Sequence, residues 1–296
     1  MRDALLRDLS SLPYRVTTSV DARLSRPQHC CECIVVSAGD DVWQLWQAQI
    51  KRADAVFLIA PETGGMLHYL TQIAALEGAL VLGCGLFSIE ITSDKLLTYL
   101  ALKQADILTL PTYSFENWPK GSGSWLAKPS DGAGCDDTVC YNDAISLMQW
   151  LVQHNKRLTH VIQPYKTGVP ASISCVMYRG KAHLLSCNTQ LIEINYHTLS
   201  YNGGVINGMK LHWQAFEQIA NHIASTFPDL AGYVGIDVIV QDDEIFVVEI
   251  NPRLTTSYVG LRAATGANAA ELIINRLTNP DFIWPTLQQN EIILHV

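Results

Sequence analysis

The sequence predicts a mixed α/β chain that opens on a parallel-sheet domain and continues through paired strands. Two observations lead there. From Tyr14 to Leu82, short apolar strands alternate with helix-period segments, the pattern of a doubly wound unit. Further on, apolar runs come in pairs around short polar turns, at Arg179-Gly180 and again at Gln241–Glu244. In the second pair each strand carries one carboxylate, Asp237 in Val234–Val240 and Glu249 in Ile245–Ile250. A carboxylate in an apolar strand needs a partner or a cation, so this hairpin also marks the candidate site.

The N-terminal elements justify the α/β reading. Met1–Leu12 reads as a helix with Leu5, Leu6, Leu9 and Leu12 on one face. Tyr14–Val20 and Cys33–Val36 read as strands, Val42–Arg52 as a helix and Ala55–Ala60 as a strand ending at Pro61-Glu62-Thr63-Gly64-Gly65. Leu67–Glu77 reads as a helix and Leu80–Leu82 as a short strand. Doubly wound units usually open on a strand; this one opens on a helix, as if its first strand were lost or encoded upstream. Ligands of such sheets sit beyond strand C-termini, where PETGG falls. Glu62 and Thr63 are therefore candidates to touch a substrate, with a turn and helix N-cap as the plainer alternative.

The remaining elements are mixed. Ile89–Leu102 reads as one helix containing Ser93-Asp94-Lys95, and Trp125–Lys128 as a strand running into Pro129–Gly134. Asn142–His154 is an amphipathic helix and His160–Tyr165 a strand. Ala171–Tyr178 and Ala182–Asn188 pair, Asn202-Gly203-Gly204 reads as a loop, and Trp213–Thr226 as a helix. Asn268–Leu277 is the last clear helix and Ile292–Leu294 a terminal strand.

Composition bounds the function. A chain of 296 residues, 48% hydrophobic and 16% charged, suits a globular protein of two or three domains. Net charge −8 and pI near 5.5 argue against a general nucleic-acid binder. No stretch reaches the roughly 18 uncharged apolar residues a membrane helix needs. The charged, leucine-rich N-terminus is not a signal peptide, which makes the cytoplasm the expected compartment and free thiols the expected state of the eight cysteines. His29-Cys30-Cys31-Glu32-Cys33 lacks the second half of a zinc framework, and an edge strand with buried or inert thiols is the expectation there.

The chemistry concentrates in the hairpin. Asp237, Glu249 and Asn251 offer hard oxygens of the kind Mg²⁺ prefers, and Arg253 a fork for a carboxylate or phosphate. Lys128, at a strand end beside Pro129-Ser130-Asp131-Gly132-Ala133-Gly134, is a phosphate-binding arrangement, since glycines let backbone N–H groups approach. A Gly-containing hairpin turn is the alternative. Lys95 alone would be read as a solvated helix lysine.

These motifs, in this order, resemble the ATP-grasp superfamily of carboxylate–amine ligases from about Ile89 to Leu277. SDK at Ser93–Lys95, LAKPSDGAG at Leu126–Gly134, VIQPYKTG at Val161–Gly168 and GIDVI…VVEINPR at Gly235–Arg253 carry the resemblance. It implies a Rossmann-like N-terminal domain over 1–92, a small α+β subdomain over 93–165 and a large one over 166–296, the two holding ATP between them. It further implies that Lys95, Lys128 and Asp131–Gly134 contact the ATP phosphates and that Gln163, Pro164 and Tyr165 line adenine. Asp237, Glu249 and Asn251 would hold Mg²⁺ (or Mn²⁺), and Arg253 the acyl phosphate or substrate carboxylate. Many members place Glu where this chain has Pro164, which leaves ribose to Ser172 or Lys166.

PETGG, SDKL, DGAG with Asp136-Asp137, and NPRLTTSYVGL are most similar to the tyramine–glutamate ligase family of methanofuran biosynthesis. That likeness implies a ligase joining glutamate to an amine through an acyl phosphate, in a one-carbon cofactor pathway. By position, Glu62, Ser257, Tyr258 and Arg262 are the substrate candidates. An ATP-grasp ligase for another amino acid or a pterin, and a degenerate ATP-binding regulatory module, are the competing expectations. Trp43, Trp46 and the Cys30–Cys33 edge are candidates for a homo-oligomer contact.

Overall fold

The computed structural model describes residues 1–296 except Ala133, Pro280 and Val296. The N-terminal part comprises helix α1 (Arg2–Ser10), strands β1 (Thr17–Asp21) and β2 (Glu32–Val36), helix α2 (Val42–Arg52), strand β3 (Ala55–Val56), helix α3 (Met66–Leu76) and strand β4 (Leu80–Val81). The parallel pairing expected from the alternation is present, but as two separate two-stranded pieces, β1 with β2 and β3 with β4. The apolar run after Val56 does not continue as a strand; Phe57, Leu58 and Ala60 instead pack their side chains into the cores. In the Cys30–Cys33 cluster the thiols are free, Cys31 exposed and Cys30 and Cys33 partly buried. Trp43 and Trp46, both partly buried, meet each other edge-on at 5.4 Å, and Trp46 Nε1 donates to Ser19 Oγ.

Next come helices α4 (Leu86–Ser93) and α5 (Lys95–Gln104), strands β5 (Trp125–Pro129) and β6 (Val139–Tyr141), helix α6 (Ala144–Gln153) and strand β7 (His160–Pro164). The helix expected over Ile89–Leu102 is broken at Asp94. Asp94 is extended at φ −103°, ψ 118°, and its Oδ1 accepts from the Leu96 and Leu97 N–H groups. It is the N-cap of α5, and Lys95 is that helix's first residue.

The large lobe contains strands β8 (Val169–Tyr178), β9 (Lys181–Asn195) and β10 (Thr198–Ile206), helix α7 (Trp213–Thr226), strands β11 (Gly232–Gln241) and β12 (Glu244–Asn251), helices α8 (Tyr258–Thr265) and α9 (Ala269–Thr278), and strand β13 (Ile292–His295). Asn202–Gly204 is not a loop. It lies within β10, where a Cβ on Gly204 would stand 2.1 Å from the Thr189 carbonyl oxygen and one on Gly203 2.0 Å from that of Leu294. The glycines there permit close strand approach rather than a turn.

One sheet of nine strands runs β12-β11-β8-β9-β10-β6-β5-β7, with β13 also on β10. Its two edges are stitched by one segment: Thr109 bridges to Val247 of β12, and Tyr113 to Ile162 of β7. The sheet therefore curls, bringing β5 opposite β12. Alternation along the central strands feeds two cores. Cys175, Met177, Val234 and Ile236 face one core with Phe216 and Ile223 of α7; Val176 and Tyr233 face another with α1, α8 and α9. A third, smaller core joins Trp118, Trp125, Leu147, Leu151 and Ile162. Helix α1 thus packs with the C-terminal helices.

Candidate functional site

The curl of the sheet creates the site. In β11 the face that buries Tyr233 continues through Gly235 to Asp237, and β12 places Glu249 directly opposite Asp237. A bulge follows at Asp237/Val238. It lets Val247 and Ile250 both reach the core while Glu249 and Asn251 turn to the cleft. Asn251 Nδ2 donates to Asp237 Oδ2 at 3.0 Å. Gln190 Nε2 of β9 donates to Asp237 Oδ1 at 2.8 Å.

Two lysines arrive from the other side. Lys95 Nζ stands 3.6 Å and Lys128 Nζ 3.9 Å from Glu249 Oε2. Both lysines are buried. Burial pushes Lys128 down to about 8, Lys95 adding to this and Glu249 opposing it. Burial works to raise Glu249, but Lys95 and Lys128 outweigh it and hold the carboxyl below its ordinary value. Burial and the facing Glu249 push Asp237 the other way, up to about 7, against the hydrogen bonds it accepts from Asn251 and Gln190. The result is a polarised pair, one acid held ionised by lysines and one poised to take a proton. Hard oxygens on one face, with an acid destabilised by excess negative charge, fit a divalent cation.

The loop after Lys128 is held in place from three sides. Lys95 donates from its backbone N to Ser130 O and from Nζ to Gly132 O. Asp131 Oδ2 accepts from Gly64 N at 2.9 Å, and Asp131 O from Thr63 Oγ1 at 3.3 Å. His160 Nε2 lies 3.1 Å from Asp137 O. Gly132 and Gly134 lie in this loop, Gly134 at φ 69°; Ala133 lies outside the described residues.

Arg253 closes the site toward the N-terminal part. Its Nε donates to Glu62 Oε2 at 2.7 Å, its Nη1 to Leu254 O and its Nη2 to Asn251 Oδ1, each at 3.2 Å. Glu62 stands at the N-cap of the turn leading into α3, but its side chain makes no cap hydrogen bond and goes to Arg253 instead.

Some expected residues lie elsewhere. Tyr258 is fully buried, and its hydroxyl donates to Asp8 of α1 at 3.1 Å. Arg262 pairs with the same Asp8 at 3.2 Å. Both tie α1 to α8, and the structure does not bring them to the cleft as substrate contacts. Ser257 and Ser172 are buried in a cluster around Asn188 Nδ2, which donates to both hydroxyls and to Ser174. Ser172 is in register with Asp237, at the metal-type hairpin and not on the hinge strand. Gln163 is turned inward, donating to Thr112 Oγ1 at 2.8 Å, whereas Tyr165 is exposed just beyond β7. Pro164 is partly buried in register with Trp125. Lys166 Nζ lies 3.9 Å from the centre of the Phe246 ring, a cation–π contact.

A family model described as an ATP-grasp domain matches residues 92–257, and a pre-ATP-grasp model matches residues 14–89. The chain belongs to the ATP-grasp family. Tyramine–L-glutamate ligase of Methanocaldococcus jannaschii is 33% identical over 232 residues, 78% of this chain and 65% of the relative. The enzyme of the same name from Methanocaldococcus fervens is 32% identical, over 79% of this chain and 69% of the relative. The chain thus spans about two thirds of the length of the curated relatives it matches. Among solved structures, a biotin carboxylase from Campylobacter jejuni superposes at TM-score 0.78 with 13% identity, covering 97% of this chain and 71% of that one. That likeness concerns the fold, which is ATP-grasp, with helices on a curled antiparallel sheet.

In this family member, sequence reading missed Gln190 and the pairing of Glu62 with Arg253. Gln190 escaped because the strand was expected to end at Asn188, whereas β9 runs on to Asn195. No local signal announces Glu62–Arg253, whose partners lie 191 residues apart.

Proposed function

We propose that the chain is an ATP-dependent ligase that joins glutamate to a primary amine through an acyl phosphate. The observation that carries this reading is the convergence of Lys95 and Lys128 on Glu249 opposite Asp237, with Arg253 one hydrogen bond away from Asn251. Two lysines beside a pair of carboxylates suit the β- and γ-phosphates of ATP, with Asp131–Gly134 as their cover. Asp237, Glu249 and Asn251 would hold Mg²⁺, which supplies charge neutralisation at the phosphates; Mn²⁺ fits the same oxygens. Arg253, with N–H groups left over, binds the substrate carboxylate and then the acyl phosphate. The chain contributes position and charge, so no nucleophilic side chain is needed. The hinge at the end of β7, Pro164 and Tyr165, offers its backbone to adenine. The names of the two curated relatives support glutamate as the acid and tyramine as the amine, which suits a role in making a methanofuran-type cofactor in the cytoplasm.

The test is ADP release with Mg²⁺, glutamate and a panel of amines led by tyramine, with the amide product identified by mass. Lys128→Met should lower amine-dependent turnover by at least about 100-fold. Absence of amine-dependent ADP release with every amino acid tried overturns the ligase reading and leaves an ATP-binding module.

A further inference from the structure

Glu62 is 5% exposed, and the two oxygens of its carboxylate are treated differently. Oε2 takes the Arg253 Nε–H at 2.7 Å. Oε1 is buried and has no hydrogen-bond partner among the described residues. A buried carboxylate oxygen left unpaired is costly, and a compact cationic donor is the group that satisfies it best. Arg253 complements this. A guanidinium has five N–H donors, and three of them go to Glu62, Leu254 and Asn251. One donor on each Nη is left over. The pair thus presents one unused anionic acceptor beside two unused cationic donors, a match for an ammonium group next to a carboxylate or acyl phosphate.

The surroundings place this pair within the site. Asn251, which holds Arg253, also donates to Asp237. Thr63 and Gly64, the residues after Glu62, bind Asp131 of the loop beyond Lys128. Glu62 therefore sits where the N-terminal part, the phosphate loop and the end of β12 meet.

We propose that Glu62 Oε1 receives the ammonium group of the attacking amine and takes its first proton. This rests on the ligase reading above. A primary amine with an ordinary pKa near 10 arrives at pH 7 as ammonium and has no lone pair with which to attack. Once Glu62 holds a proton, the amine nitrogen bonds to the acyl carbon, and the bond from that carbon to the phosphate oxygen breaks. The departing phosphate takes the second proton from nitrogen, and Glu62 returns the first to solvent. Two protons leave nitrogen, one amide forms and one phosphate departs. The attacking amine is favoured over the amino group of glutamate because the same Glu62 carboxylate is held through Oε2 by Arg253, whose remaining donors bind the reacting carboxylate.

The test compares wild type with Glu62→Gln and Glu62→Asp, each checked for cooperative melting. Amine-dependent ADP release is measured with glutamate and tyramine. Hydroxylamine, uncharged at pH 7, then replaces the amine and traps the acyl phosphate as a hydroxamate. Glutarate, which lacks the amino group, replaces glutamate in a third series. Glu62→Gln should lower kcat/KM for the amine by at least about 100-fold but hydroxamate formation by less than about 5-fold. Glu62→Asp, which keeps the carboxylate, should recover part of the amine rate. Equal losses with amine and hydroxylamine would mean that Glu62 only positions Arg253, and would overturn the proposal. A loss seen with glutamate and absent with glutarate would assign Oε1 to the amino group of the acid, and would overturn it as well. In both cases the ligase reading stands, since wild type still turns over. Wild type that releases no ADP with any acid and amine removes the ligase reading, and this proposal with it.

Discussion

Replacing Asp237 by Asn should stabilise the protein at alkaline pH while abolishing its activity. Burial and the facing Glu249 push Asp237 from its ordinary 3.8 up to about 7. At about 1.36 kcal/mol per unit, holding Asp237 ionised in the folded state at pH 8 costs roughly 4 kcal/mol. The sign follows from the raised value. The folded state binds the proton more tightly, so stability is complete below pH 4 and is lost as pH rises through 7. Asn has no such window. It also has one acceptor oxygen where Asp has two, and Gln190 and Asn251 donate to separate oxygens at 2.8 and 3.0 Å. One of those bonds is lost, at about 1–2 kcal/mol. The net gain at pH 8 is then about 2–3 kcal/mol, or about 4–8 °C in Tm, shrinking to nothing near pH 5. Thermal melts from pH 5 to 8 in EDTA measure the difference between variant and wild type. Adding Mg²⁺ should close the gap by stabilising wild type alone. An Asp237→Asn variant that melts at or below wild type at pH 8, or a gap that does not widen with pH, would refute this account of the pair.

Two further predictions concern the frame around the site. Gly204→Ala drives a methyl to 2.1 Å from the Thr189 carbonyl oxygen, and should cost about 3 kcal/mol, read as a lowered Tm; an unchanged melt would mean that β9 and β10 do not pair there. Asp8→Ala strands the Tyr258 hydroxyl and unpairs Arg262, and should cost about 3 kcal/mol in urea unfolding while leaving KM for acid and amine within about 2-fold. A large KM change would return Tyr258 and Arg262 to the substrate site.

Much of the site was legible because part of it is local. Asp237, Glu249 and Asn251 lie on one hairpin, where strand alternation and a tight turn set which side chains meet. The signature of Lys128 was the small, glycine-containing loop that follows it. Lys95 was legible only through motif order, since its helix was misread as continuous; the Asp94 N-cap was the overlooked signal. Tyr258 and Arg262 stand close in sequence to Arg253, and proximity along the chain misled, because α8 turns both toward α1. The glycines at 203 and 204 carry ordinary turn residues' signals, and only the carbonyls of Thr189 and Leu294 pressing against them show why glycine is required in that strand.

Sequence by itself determined most of the elements and the chemistry of the hairpin, because hydrophobic period and turn chemistry act over a few residues. The tertiary structure alone decided what those groups become. Curling one sheet until β5 faces β12 sets Lys95 and Lys128 against Glu249 and leaves burial and Glu249 to dominate at Asp237. The same closure joins Glu62 to Arg253 across 191 residues. Charge acts through space and burial sets its strength, so the ionisation of the acids and the unpaired buried oxygen of Glu62 exist only once the chain has closed on itself.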